Sequence, residues 1–274
     1  MTARRSDRPL VREFPPTGGH PVVLVHPGAV PAAEYADLAG ALAPASLAVV
    51  DLEQVPEYFE AALTGVLTTS VDALADRVVA ELRARGVPDR WTLAGWSFGG
   101  VVAFTAVSRL SADERPDRVV LLDSLAPVPE YTANDDEELD LARVLGWFAL
   151  YLAAKRDRPV DASDSLEAVL DAGLASGALR PGTTLPGLRK VFTTYVDGLR
   201  RNNSLARAHT PVPVDVPVTL VRPDRGLLTT PEPLGWDALA PGLTTTTCPG
   251  DHYSMLRHPG ALAVLHAALV PLSR

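Results

Sequence analysis

Gly95-Trp96-Ser97-Phe98-Gly99-Gly100 follows Arg90-Trp91-Thr92-Leu93-Ala94 and precedes Val101-Val102-Ala103-Phe104. The order is a short apolar strand, a serine bracketed by glycines, then an apolar helix. A turn of this kind holds the serine in strained backbone geometry with its hydroxyl exposed. Strand and helix nearly collide there, so the flanking residues must be small, and Gly95, Gly99 and Gly100 meet that demand. The first turn of the helix aims free N–H groups and the positive end of its dipole at the hydroxyl. Ser97 is therefore a candidate nucleophile; a Gly-rich turn with a solvated serine is the alternative.

Outward from this turn, apolar runs alternate with helical patterns. Residues 21–25, 47–51, 91–94, 119–123, 217–221 and 243–248 read as six buried strands. Residues 35–42, 70–86 and 262–269 have helical spacing, with Ser70 placed to cap the second of these. This alternation predicts an α/β fold, a mostly parallel sheet with helices on both faces. About ninety residues of different character separate the fourth and fifth strands. They begin with an acidic stretch at 134–138 and continue through helical patterns at 139–152, 166–174 and 188–205. Such a length exceeds a loop and predicts a helical lid over the carboxyl ends of the strands. The expected organisation is one domain: an α/β core in two parts, 1–129 and 211–274, interrupted by the lid at 130–210.

Composition narrows the function classes. The net charge of −8 over 274 residues argues against nucleic acid as a partner. No apolar stretch is long enough for a membrane span, and residues 1–19 lack the apolar core of a secretion signal. A single cysteine, Cys248, excludes an intrachain disulfide and fits a reducing cytoplasm. Phosphate-binding glycine loops and paired CxxC patterns are absent, so no metal or resident cofactor is expected.

A serine hydroxyl needs a base, and the base needs an orienting group. Of the histidines after Ser97, His266 falls inside the last helix, His258 precedes Pro259 at a helix start, and His209 sits in a Pro-rich linker. His252 lies in Cys248-Pro249-Gly250-Asp251-His252-Tyr253, directly after the last strand, where a base can reach Ser97. Two acids compete to orient it. Asp123 ends the fourth strand and Asp224 follows the fifth. Asp51 also ends a strand but lies far from Ser97 in sheet order, and Asp251 adjoins the base. The oxyanion donors are expected to be the N–H of Phe98 and that of Ala29 or Val30. Cys248 is a weak rival nucleophile. Leu145, Trp147, Phe148, Leu150, Tyr151 and Leu152 crowd large apolar groups onto more than one face of a helix. The surplus face fits an acyl pocket formed by Trp147, Phe148 and Tyr151; packing against the core or a second subunit is the alternative.

The chain resembles the thioesterases of nonribosomal peptide and polyketide synthesis, which belong to the α/β-hydrolase superfamily. The resemblance runs from about Pro21 to Leu269 and rests on Leu24-Val25-His26-Pro27-Gly28 with Tyr35, on Leu93 to Gly100, and on Gly250-Asp251-His252-Tyr253-Ser254-Met255-Leu256. Val120-Leu121-Leu122-Asp123-Ser124 looks like the segment that supplies the acid in the synthase-terminal branch, which favours Asp123. The freestanding, editing branch takes its acid from the later strand, which keeps Asp224 open. Met1 and the lack of a carrier domain point to a discrete enzyme; the acid and lid resemble the product-releasing branch. The resemblance implies an acyl chain carried on phosphopantetheine of a carrier protein, transferred to Ser97, and released by water or an internal nucleophile. A general carboxylester hydrolase and a non-catalytic lidded binding protein are the rival readings.

Overall fold

The computed structural model describes residues 9–16, 18–132, 141–161, 164–228, 230 and 233–271. The acidic stretch at 134–138 lies outside them. The strands are β1 (Val11–Phe14), β2 (Pro21–His26), β3 (Ser46–Asp51), β4 (Thr92–Trp96), β5 (Arg118–Leu122), β6 (Val218–Arg225) and β7 (Thr244–Asp251). The helices are α1 (Ala36–Leu42), α2 (Pro56–Thr64), α3 (Val71–Arg85), α4 (Phe98–Val107), α5 (Pro129–Thr132), α6 (Leu141–Ala154), α7 (Leu166–Ser176), α8 (Leu185–Arg207) and α9 (Pro259–Leu269).

The seven strands form one sheet in the order β1-β3-β2-β4-β5-β6-β7. Only the β1–β3 pair is antiparallel. The period-2 geometry of the strands divides their apolar residues between two layers. Leu24, Val49, Ala94, Trp96, Val120 and Leu122 face one cluster, shared with α1, α6 and α9. Val23, Val25, Val50, Leu93, Val119 and Leu121 face the other, shared with α3 and α4. Burial on both faces explains why these strands read as continuous apolar runs.

The six expected strands all form, and Ser70 caps α3 by accepting from Ala73 N at 3.1 Å. Three elements were not expected, the short α5 among them. Strand β1 has only two buried residues and an Arg-Glu centre, the character of an edge strand, which carries little apolar signal. Helix α2 starts at Pro56 and buries only Tyr58 and Ala61, too few for a visible stripe.

Helices α5 to α8 occupy the interval between β5 and β6. Their apolar surplus is spent on their own packing. Phe148 stands at the centre of an aromatic cluster with Tyr151, Phe192 and Tyr195, ring centroids 5.1–5.9 Å away. The same residues join the apolar layer beneath Trp96 and Tyr253, so the insertion sits on the sheet.

Candidate active site

The site is built where β2, β4, β5, β6 and β7 end. Ser97 joins β4 to α4 with φ 54° and ψ −132°, a conformation that L-residues avoid. The turn is clamped: Ser97 N donates to Leu122 O at 2.9 Å, and a Cβ on Gly95 would run into the backbone of Gly99 and Gly100. Only glycine tolerates that approach.

His252 follows β7 and is 1% exposed. Its Nδ1 lies 2.7 Å from Asp123 Oδ2. Asp123 ends β5 with φ 42° and is itself buried. Its carboxylate also accepts from Leu227 N at 3.3 Å, so the chain after β6 covers it. A carboxylate at Nδ1 sets the tautomer: Nδ1–H donates, and Nε2 is left as the acceptor. Asp224 is exposed and faces a separate cavity of about 880 Å³ with Arg143, Trp147 and Arg225. Asp251 is engaged elsewhere, accepting from Tyr253 N and Ser254 N. Asp51 accepts from Glu53 N and the Gln54 amide.

Trp96 holds the base from the side. Its indole stacks on His252 at 4.8 Å and donates Nε1–H to His252 O at 3.0 Å. It also meets His26, whose ring lies parallel at 5.8 Å, and the ring of Tyr253, set edge to face at 5.7 Å. Burial lowers the His26 pKa to about 4, so the ring is neutral. Nε2–H donates to Val30 O at 2.7 Å and Nδ1 accepts from the Tyr35 hydroxyl at 3.0 Å. These two bonds fix the loop that carries Ala29. Val30 N is bonded to Gly28 O at 3.0 Å around Ala29, which has φ 73°. That bond occupies the N–H of Val30, the alternative to Ala29. Phe98 opens α4, so its N–H has no acceptor within the helix.

Ser97 and His252 line one cavity of about 340 Å³, together with Ala29, Trp96, Tyr151, Tyr195 and Leu199. No hydrogen bond joins Ser97 Oγ to His252 among the described residues, a common condition for a site without substrate. Of the three aromatic pocket candidates, Tyr151 lines this cavity. Phe148 does not, because it is fully buried at the centre of the insertion's aromatic cluster. Trp147 faces the neighbouring cavity and donates Nε1–H to Leu227 O at 3.0 Å.

The other candidates fall outside the site. His209 bonds to Thr105 Oγ1 and Asp72 on α4 and α3. His258 precedes α9 and His266 lies within it. Cys248 is buried, and burial with the charges of Asp123 and Asp224 pushes its thiol up to about 12, which disfavours the nucleophilic thiolate. Sequence reasoning missed Glu53, Tyr58, Arg201 and Asn202, which meet beside Ala29. A cation on the buried stripe of α8 was the available signal.

Comparisons with known proteins show the family. The family model described as "Thioesterase domain" matches residues 20–266. A 64-residue stretch is 39% identical to the conidial pigment polyketide synthase alb1 of Aspergillus fumigatus, covering 23% of this chain and 3% of that protein. A four-domain nonribosomal peptide synthetase, AB3403 in its holo form with AMP and glycine, superposes with a TM-score of 0.66 at 26% identity. That match covers 94% of this chain and 20% of the synthetase. YbtT, a type II thioesterase from the yersiniabactin pathway, superposes with a TM-score of 0.60 at 16% identity, covering 96% of this chain and 98% of that one. The chain thus spans a small part of both megasynthases and nearly all of the smaller enzyme. The architecture is that of the α/β-hydrolase fold, and the chain belongs to the thioesterase domain family found in nonribosomal peptide and polyketide synthesis.

Proposed function

We propose that this thioesterase releases an acyl chain from a carrier protein's phosphopantetheine thiol through an acyl-enzyme on Ser97. The observation that carries the proposal is the buried His252–Asp123 pair, 2.7 Å apart, beside a serine at a strained strand-to-helix turn.

His252 Nε2 takes the hydroxyl proton as Ser97 Oγ attacks the thioester carbonyl. Asp123 holds the ring in its reactive tautomer and offsets the charge of the imidazolium. The stacked indole of Trp96 adds a cation–π attraction of about 0.5–2 kcal/mol once the ring is charged. The carbonyl oxygen, now negative, accepts from Phe98 N and Ala29 N. The C–S bond breaks, the proton passes from His252 to the departing thiol, and the acyl group stays on Ser97. Water or a nucleophile within the acyl chain then attacks the ester by the same route. Tyr151, Tyr195 and Leu199 form the wall against which an apolar chain packs.

One observation favours a second reading of the release mode. The cavity, about 340 Å³, is at the small end of ligand pockets. A short acyl group released by water fits it better than a long peptide folding into a ring, which favours an editing role. Mass spectrometry of the products from acyl-pantetheine thioesters of increasing length separates the two. Ser97→Ala is expected to stay folded, lose about 10³-fold or more in turnover and no longer take up a fluorophosphonate. Label recovered on another residue overturns the assignment. Turnover of simple esters with none of carrier-bound thioesters overturns the substrate class.

A further inference from the structure

We propose that Arg201 is a positioning residue that couples α8, within the insertion, to the two oxyanion donors. The inference rests on the acyl-enzyme reading above. Arg201 projects from α8 with its side chain 3% exposed. Its guanidinium carbon lies 3.5 Å from the centre of the Tyr58 ring. Nη1 donates to Tyr58 O at 3.2 Å, Nη2 to Pro27 O at 3.4 Å, and Nε to Asn202 Oδ1 at 3.1 Å. Nη1 is also 3.6 Å from Glu53 Oε1.

Each of these partners leads to the oxyanion site. Pro27 opens the loop that carries Ala29, and its carbonyl accepts a second bond, from the Tyr58 hydroxyl at 2.8 Å. Glu53 packs directly against Gly28, where a Cβ would collide with its carboxylate. The far face of the Tyr58 ring stacks on Phe98 at 6.0 Å and 8°. One buried fork therefore bears on both donors: on Ala29 through Pro27 and Glu53, and on Phe98 through Tyr58. A buried cation holds its place only while its acceptors surround it. The cluster closes only with α8 seated, so the insertion completes the oxyanion site as well as covering it. A planar guanidinium is needed, because a lysine ammonium has no flat face to stack on the ring while its N–H groups reach the two carbonyls.

The test compares wild type with Arg201→Lys, Arg201→Met and Tyr58→Phe on a short acyl thioester. Active sites are counted by exhaustive phosphonate labelling. Affinity is measured for a boronic acid, which forms a tetrahedral adduct on the serine. The expected result is a kcat per titrated site lower by about 10- to 100-fold in Arg201→Lys, with KM within about threefold. Boronate affinity should fall in parallel. Tyr58→Phe, which keeps the ring and loses the hydroxyl's contacts with Pro27 O and Asn202 Oδ1, should fall by a smaller factor in the same direction. Unchanged kcat per titrated site in the folded variants overturns the proposal and leaves Arg201 a simple tether. A raised KM at constant kcat also overturns it, making Arg201 a substrate contact. If the Arg201 variants do not fold, Tyr58→Phe decides alone, and undiminished kcat overturns it. Wild-type turnover that survives Ser97→Ala refutes the acyl-enzyme reading instead, whatever Arg201 does.

Discussion

Strands β5 and β6 pair side by side, and each carries an aspartate at its carboxyl end, yet the two carboxylates live in different worlds. Asp123 is buried, sits in left-handed backbone geometry and accepts from His252 and Leu227. Asp224 is exposed beside Arg225 and the cavity of Arg143. The difference begins in the backbone. β5 stops at Leu122, so the next residue turns down toward the sheet's end and reaches β7. β6 runs on to Arg225, with an irregular register against β7 near Pro223, and carries Asp224 past the site. Gly226 and Leu227 then fold back over the carboxylate that β5 supplies. Where a strand stops decides which acid serves the histidine.

The comparison breaks most sharply at Asp123. Asp123→Asn is expected to keep the fold and lower kcat by about 10³- to 10⁴-fold, because the amide favours the wrong imidazole tautomer and cannot offset its charge. Steady-state kinetics with a thioester mimic measure this, and a loss smaller than that of Asp224→Asn reverses the assignment.

A third strand end sharpens it. His26 closes β2 as a buried histidine without a carboxylate on its ring, and its folded pKa of about 4 lies below the ordinary 6.5. The unfolded chain therefore binds the extra proton first. Stability tied to His26 is complete above pH 6.5 and drains away as pH falls toward 4, by on the order of 3 kcal/mol. Denaturant unfolding at pH 7 and pH 4.5 should show this drop, and His26→Gln should flatten it. An equal slope in the variant removes His26 as the cause.

Gly226→Ala probes the cover itself. The new Cβ would stand 3.0 Å from Asp123 Oδ1, tight enough to push the carboxylate by a few tenths of an ångström. A fall in kcat of about 3- to 10-fold with KM unchanged is expected, corresponding to about 1 kcal/mol. The smallest effect belongs to Asp224→Asn, expected to leave kcat within about twofold, since the side chain is solvated.

Much of this site was legible in the sequence because its parts are local. The glycines around Ser97 and the loop after the last strand each announce themselves within six or seven residues. The choice between Asp123 and Asp224 was not local. It depends on where β6 ends, which apolar patterning marks only to within a few residues. Arg201 was hidden for another reason. Its partners lie at Pro27, Glu53 and Tyr58, more than 140 positions away, and one of five cations on a long amphipathic helix reads as a solvated charge. Phe148 misled in the opposite direction: its surplus apolar character served the insertion's own core. Periodicity counts apolar faces and says nothing of what covers them.

Trp96 stacks with both His26 and His252. An indole loses fluorescence when a stacked imidazole acquires a proton. In the proposed acyl-enzyme reaction the ring of His252 takes up the Ser97 proton as the tetrahedral adduct forms, so a boronic acid that holds this state on the enzyme should dim the emission of Trp96. The tryptophan before Ser97 is in this sense a built-in optical reporter, whose dimming a fluorescence titration can read without any label or coupled reagent.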